Sequence, residues 1–421
     1  MRLRGVLADT RPLAEPHFRR LWLASIVTVI GAQLTVVAVP AQLYAMTGSS
    51  AYVGLAGVFG LVPLVVFGLW GGALADAFDR RTILVVTTLG LVGTSALFWL
   101  QAFAGNRNVW LLLGLFSLQQ AFYAVNQPTR SSVLPRLLPA ELLPAANSLS
   151  MTVFQGGAIA GPLVGGALIP LLGFSWLYAV DTVTLFATLS AVLALPRLPV
   201  DGIAGAPGLR SVIEGLSYLR GHPVLLMSFL VDLIAMVFGM PRALFPEIAD
   251  RSFGGPESGG WAFALLFAAI PAGALLGGVF SGWVSRVERQ GYAVIAAILV
   301  WGLAMTGFGL ASGAAAGRGG PLLAVAVLML AIGGAADIAS AAFRVSMLQS
   351  AASDDVRGRL QGIFIVVVAG GPRIADVAHG SAAALVGTSA AAAGGGVLVV
   401  VLTVLAALAV PAFVRYRVAR A

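Results

Sequence analysis

The sequence predicts an all-α polytopic membrane protein with twelve transmembrane helices in two six-helix, pseudo-symmetric halves. Three observations carry this reading: the composition, the spacing of apolar stretches and the placement of arginine. Of 421 residues, 59% are hydrophobic and 10% are charged, and the mean hydropathy is +0.95. That balance excludes a water-soluble domain and places the chain in a lipid bilayer. At roughly 20 residues per span the chain holds about a dozen helices with short loops and leaves no room for a sizeable soluble domain. Cysteine is absent, which removes disulfides and thiolate metal sites. All 25 basic residues are arginine, so a P-loop and a lysine Schiff base are both excluded. No cofactor and no metal is expected. Histidine and carboxylate spacings fit no catalytic site, so an enzyme is not expected either.

Apolar stretches fall near 18–45, 51–73, 82–103, 109–127, 146–171 and 174–195, then near 224–248, 260–284, 291–312, 321–345, 360–386 and 391–414. The arginine-rich segment before the first stretch lacks the small-residue cleavage site of a signal peptide and reads as a retained cytoplasmic segment. With that segment inside, nineteen arginines lie on the cytoplasmic side, and only Arg107, Arg251 and Arg318 lie outside. The positive-inside rule then places both termini in the cytoplasm and favours an even number of spans. The net charge of +8 follows from this topology, so nucleic acid is not an expected partner.

The longest polar interval, Pro196 to His222, divides the chain. Residues 1–195 are expected to form an N-terminal six-helix bundle, 196–222 a cytoplasmic linker and 223–421 a C-terminal six-helix bundle. Leu209, Val212, Ile213, Leu216 and Leu219 have helical apolar spacing, which fits a helix on the membrane surface or a solvated linker. Pro16 and Pro40 bracket the first stretch much as Pro223 and Pro246 bracket the seventh. Gly68, Gly71 and Gly72 close the second stretch as Gly277, Gly278 and Gly282 close the eighth. Two repeated halves around a central site are a transporter arrangement.

The connection Gly72-Ala73-Leu74-Ala75-Asp76-Ala77-Phe78-Asp79-Arg80-Arg81 joins the second and third stretches. Small residues allow two helices to approach closely, Asp79 suits a helix N-terminus, and Arg80 and Arg81 hold the loop in the cytoplasm. Gly72, Asp76, Asp79, Arg80 and Arg81 are therefore expected in a tight cytoplasmic connection, which in a transporter working by alternating access would serve as the cytoplasmic gate. In the fifth stretch Gly157, Gly161, Gly165 and Gly166 allow backbone contact with a neighbouring helix, and Pro162 removes a helical hydrogen bond. This combination reads as a bent hinge, and equally as plain small-residue packing.

Ionisable residues inside apolar stretches cost about 2.5–3.5 kcal/mol each on insertion scales, so each needs a reason. Asp181, Asp232, Arg242, Asp337, Arg344, Arg373, Asp376 and His379 are the set. Asp181 and Arg344 read first as interfacial snorkelling or a static pair. Asp232 and Asp376 lie nearer the expected midplane and are the proton-coupling candidates. Arg373, one turn before Asp376, can pair with it, and Gly370-Gly371-Pro372 is expected to break that helix. Arg242 suits an anionic or oxygen-rich substrate, or alternatively a rim pairing with Glu247 or Asp250. Gln33, Gln119, Tyr123, Asn126, Arg242, Asp337 and Arg373 are the expected cavity lining, although some of the polar set will hydrogen-bond between helices.

The loop of residues 72–81 resembles the signature loop of the major facilitator superfamily, with Asp79 where that pattern has its second glycine. The glycine-proline order of 157–166 looks like the antiporter motif of drug-exporting facilitators. Ala243-Leu244-Phe245-Pro246-Glu247-Ile248-Ala249-Asp250, Ala268-Ala269-Ile270-Pro271-Ala272-Gly273-Ala274 and Met347-Leu348-Gln349-Ser350 are similar to the enterobactin-exporter branch, as is Leu195-Pro196-Arg197-Leu198-Pro199. The resemblance implies a multi-pass exporter of the bacterial cytoplasmic membrane, driven by protons as coupling ion. It would carry a small molecule, a siderophore or related secreted metabolite. The alternatives are a multidrug or macrolide efflux antiporter and, less favoured, a non-transporting scaffold or sensor. A monomer is expected.

Overall fold

The structure is a computed structural model that describes residues 9–198, 217–257, 259–351 and 354–417; the side chains of 69–77, 285 and 349–369 are outside the described set. Most of the expected linker, including its apolar positions 209–216, is therefore outside the described residues. Among the described residues every regular element is helical. The long helices are α1 (Pro16–Thr47), α2 (Ser50–Ala77), α3 (Arg80–Phe103), α4 (Val109–Leu137), α5 (Leu143–Leu193), α6 (Pro223–Gly239), α7 (Trp261–Val279), α8 (Gln290–Ala315), α9 (Pro321–Ala351), α10 (Asp354–Val386) and α11 (Thr388–Ala409), with shorter helical turns between them.

Ten helical stretches among the described residues are long and apolar enough to cross a membrane. One of them, Ala140–Leu193, is 54 residues long and contains Gly173 at φ 76, ψ 170. That conformation is open to glycine and strained for other residues, so the chain turns there and α5 has two arms. Large apolar side chains such as Trp110, Leu171, Trp261, Phe280 and Leu385 are exposed, as a surface solvated by lipid tails requires.

The chain divides into two compact units. One takes Met1–Val39 and Val62–Ala206, and the other Pro40–Leu61 and Pro207–Ala421. α1 and α2 therefore each contribute to both.

In the first unit α1 lies along the first arm of α5. A Cβ added to Gly157, Gly161 or Gly165 would strike Val29, Gln33 or Leu34 of α1, respectively. The fifth-stretch glycines thus seat side chains of α1 against the backbone of α5, which continues through Pro162. Asp181, on the second arm, is fully buried. Its carboxylate accepts hydrogen bonds from Thr35 Oγ1 at 2.7 Å and Ser95 Oγ at 2.9 Å. It is a polar node joining α1, α3 and α5, not the interfacial or ion-paired group that its position suggested. Phe98 and Tyr178 stack beside it with centroids 5.1 Å apart.

In the second unit α8 packs against α9 and α11, and α6 against α10 and α11. Trp301 of α8 donates to the Ala235 carbonyl of α6 at 3.1 Å, and Phe245 meets Phe267 and Phe308 edge-on. Asp232 of α6 forms an ion pair with Arg344 of α9, the two side chains being 1% and 4% exposed. Arg344 is thus a buried counter-ion and does not snorkel to an interface. Leu225, Ser228, Phe229 and Leu348 close around the pair.

Removing one member of a buried pair strands the other charge. Asp232→Asn is expected to destabilise the fold by roughly 3–5 kcal/mol, whereas Asp232→Leu combined with Arg344→Met is expected to recover most of that loss. Unfolding of the detergent-solubilised proteins measures both, and equal losses in the single and double variants would overturn the assignment.

Candidate functional site

The loop between α2 and α3 is set by Asp79. Its φ is −55°, so this position does not need the conformational freedom of glycine, and an aspartate takes the place of the second glycine without backbone strain. The carboxylate caps α3, with Oδ1 accepting from the Thr82 N–H at 3.0 Å. Its Oδ2 accepts from the Leu198 N–H at 2.7 Å, and the Arg80 N–H returns a bond to the Leu198 carbonyl at 3.3 Å. Arg81 Nη2 donates to the Leu193 carbonyl at 2.7 Å. The loop is thereby tied to the segment leaving α5. Gly72 and Asp76 lie in α2, with side-chain surroundings outside the described set.

Nearby, Arg130 of α4 reaches Ser25 Oγ and the Leu21 carbonyl of α1. Its place near the end of α4 had marked it only as an arginine on the loop side. Asn126 is buried, and its amide donates to Thr87 and Thr88 of α3 at 2.8 and 3.3 Å. Tyr123 accepts from Gln127 Nε2 on its own helix at 2.7 Å and is 39% exposed. Gln119 is partly exposed one turn before Tyr123, and Gln33 is partly exposed where Gly161 meets α1.

The second unit brings four of the expected residues together. α10 packs against the Arg242–Leu244 turn that follows α6. There Arg242 lies within electrostatic reach of Asp376, Arg373 and Asp337. Arg373 and Asp376 stand 4.0 Å apart and are 28% and 16% exposed. Two guanidiniums and two carboxylates thus form a charge-balanced, partly accessible cluster. α10 is continuous through Gly370-Gly371-Pro372, so the expected break does not occur. Packing supports the helix across the proline: Met236 of α6 fits against Gly371, and α2 lies against Arg373–Gly380.

That α2 contact runs over Gly54 and Gly57. A Cβ on Gly54 would stand 2.6 Å from the Asp376 carbonyl oxygen, and one on Gly57 would strike the Arg373 carbonyl and stand 3.0 Å from Asp376 Cβ. At the start of α2 the Ser50 N–H donates to Glu247 Oε2 at 2.9 Å. Tyr44 of α1 donates to Asp250 at 2.6 Å, and Arg251 bridges Glu247 at 2.8 Å and the Gly48 carbonyl at 3.1 Å. Glu247 and Asp250 are therefore used in this clasp and are not the rim partners of Arg242. Sequence reasoning missed the clasp because its members are far apart in the chain. The Gly54-x-x-Gly57 spacing was the one available signal for the helix contact.

Burial raises the pKa of Asp79, but the Thr82 and Leu198 N–H groups and the Thr82 hydroxyl outweigh it, and the carboxyl sits below its ordinary value. A value lower in the folded state means that the stabilisation is present above the unfolded pKa of about 3.9 and is lost as pH falls through the folded value. Asp79→Ala is expected to cost about 0.5–2 kcal/mol at neutral pH. The difference from the unaltered protein should close below about pH 4. Paired thermal unfolding curves across pH check this, and a difference that persists in acid would show that the cap acts through something other than the ionised carboxylate.

The family described as transmembrane secretion effector matches residues 8–418. The enterobactin exporter EntS of Shigella boydii serotype 18 is 27% identical over 378 residues, covering 88% of this chain and 86% of that protein. The protein of the same name from Escherichia coli O1:K1 / APEC is 26% identical over 377 residues, with 88% and 86% covered. Among solved structures, the nucleoside transporter NupG superposes with a TM-score of 0.74 at 13% identity, covering 94% of this chain and 99% of that one. An inward-facing bacterial homologue of the iron transporter ferroportin gives 0.68 at 16%, covering 94% and 98%. At those identities the structures speak for the fold, and the fold they share is that of the facilitators. With nearly its whole length matched, this chain belongs to the transmembrane secretion effector family of the major facilitator superfamily.

Proposed function

We propose that this membrane exporter is a proton-coupled secondary transporter that carries a small molecule, a siderophore or related secreted metabolite, outward across the bacterial cytoplasmic membrane by alternating access. The observation that supports this most is the cluster of Arg242, Asp337, Arg373 and Asp376, because charges inside an apolar bundle mark ion and substrate pathways. Twelve spans in two halves, with both termini in the cytoplasm, complete the reading. Asp376 is the first candidate for the coupling carboxylate, since it is partly accessible, while the carboxylate of Asp232 faces Arg344. Gly72, Asp76, Asp79, Arg80 and Arg81 act as the cytoplasmic gate. Gly157, Gly161, Pro162, Gly165 and Gly166 act as the hinge. Gln33, Gln119, Tyr123 and Asn126 line the N-terminal side of the path, and the protein works as a monomer.

A second reading, a multidrug or macrolide antiporter, is favoured by the two carboxylates of the cluster, which suit a cationic drug. Everted vesicles under an imposed proton gradient separate the two. Uptake of a catecholate siderophore alone, abolished by an uncoupler, is the expected outcome. Uptake of a macrolide or a cationic dye instead would move the protein to drug efflux. Asp376→Asn is expected to lose gradient-driven transport while retaining exchange, and unchanged pH dependence would remove Asp376 from coupling. Asp76→Asn is expected to slow turnover with binding largely intact; normal turnover would remove Asp76 from the gate.

A further inference from the structure

Away from the charge cluster, the first unit carries an open groove of about 490 Å³ between the beginning of α1 and the end of α5. The two helices run antiparallel and are zipped together further along. Thr28 Oγ1 donates to the Thr184 carbonyl at 3.0 Å and meets Thr188 Oγ1 at 2.7 Å, and a Cβ on Gly31 would stand 2.9 Å from Asp181 Cα. Toward Arg20 and Ala194 the zipper stops and the groove opens. Leu23 and Val27, 51% and 46% exposed, form the α1 wall, and Ala187, Ser190 and Ala194 form the α5 wall. Ala24 and Ala191 make the floor, backed by the buried Leu21, Val192 and Leu195. Alanine at both floor positions leaves nothing large enough to fill the space.

The groove is apolar along its length and charged at one end. Residues 20–27 cover two turns of one helix face, about 10 Å, which fits within the roughly 15 Å of hydrocarbon in one leaflet. Ser190 Oγ donates to the Ala187 carbonyl at 2.8 Å, so its hydroxyl places no unmet donor there. Arg20 closes the polar end. Two neighbouring arginines are engaged by backbone carbonyls: Arg81 by Leu193 and Arg130 by Leu21. Arg20 is exposed, and among the described residues its guanidinium makes no hydrogen bond or ion pair. Arg197, three residues beyond Ala194, is exposed as well. No acidic side chain lines the groove, and the nearby Asp79 carboxylate is taken by the Thr82 and Leu198 N–H groups.

We propose that this groove is a binding site for an anionic phospholipid, with the lipid phosphate on Arg20 and one acyl chain lying between Leu23 and Val27 on one side and Ala187 and Ala194 on the other. Charge complementarity selects the occupant. A basic pocket between membrane helices at the headgroup level holds anionic headgroups, and guanidinium N–H groups bond phosphate oxygens with charge assistance. A zwitterionic lipid brings an ammonium toward Arg20, Arg81 and Arg197, where no free carboxylate receives it. The seated chain bridges α1 and the second arm of α5 where their own contact ends, so the lipid stabilises the first unit.

Native mass spectrometry of the detergent-purified full chain, titrated with phosphatidylglycerol or with phosphatidylethanolamine of the same acyl chains, tests the site. The first phosphatidylglycerol is expected to bind about fivefold more tightly than phosphatidylethanolamine. Arg20→Gln should remove that preference and Arg20→Lys should restore most of it, whereas Arg19→Gln, whose side chain lies outside the groove, should leave it intact. Ala194→Phe, filling the groove from an exposed position, should weaken both lipids. Phosphatidylglycerol should also raise the unfolding temperature of the unaltered protein and not that of Arg20→Gln. Equal affinity for the two lipids overturns the proposal, as does an equal loss in Arg19→Gln and Arg20→Gln, which would mean a diffuse basic surface. Displacement of the lipid by glycerol phosphate at equal concentration overturns it too, since the site would then be one for a free anion.

Discussion

A charge inside an apolar helix bundle needs its counter-charge or its hydrogen bonds within reach, and the interior of this protein is organised around that requirement. Asp181 meets it with two hydroxyls, Asp232 with the guanidinium of Arg344, and Asp376 with a neighbouring arginine on its own helix and another on the facing turn. The three solutions differ in how much water reaches them. Asp181 and Asp232 are 1% exposed and hold helices together. Asp376 keeps 16% of its side chain accessible, and its partners are shared within a cluster. Of the three, Asp376 is the one whose side chain stays partly open and shares its partners.

Small residues supply the second condition. Lipid offers no hydrophobic drive for helix association, so contact has to come from close packing. Gly157, Gly161 and Gly165 bring α5 onto α1, and Gly54 and Gly57 bring α2 onto α10 at Arg373 and Asp376. In the second case the packing surface and the charge cluster coincide. The backbone of α10 is pinned where its charged side chains project, and the helix continues through Pro372.

Fold class was legible because it depends on composition and on the period of apolar stretches, both of which are written in the chain. The grouping of Arg242, Asp337, Arg373 and Asp376 was legible in part: each was conspicuous as a charge in an apolar run. Which charge meets which was not, since pairing depends on helix rotation and tilt. Hence Arg344 was read apart from Asp232, and Glu247 and Asp250 were offered to Arg242 when they are engaged by Ser50, Arg251 and Tyr44. The Gly370-Gly371-Pro372 run misled for a related reason. Its local preference is to break a helix, and the neighbours that overrule it, Met236, Gly54 and Gly57, come from distant parts of the chain.

The prolines of α1 and α2 gain meaning from the division into units. α1 passes from one unit to the other at Val39 and Pro40, and α2 passes back at Leu61 and Val62, next to Pro63. A proline removes one helical hydrogen bond and crowds the preceding turn, so each helix lacks a backbone bond close to where it changes units. On one side of these points the helices are fixed by the bonds of Tyr44 and Ser50 to Asp250 and Glu247 and by the Gly54 and Gly57 contact with α10. On the other side α2 runs on to the loop in which Asp79 binds Leu198. Packed cores switch between discrete arrangements more readily than they deform. The beginning of α2 and α10 at Asp376 therefore belong to one packed arrangement of the second unit, and the Gly54 and Gly57 contact is its fixed part.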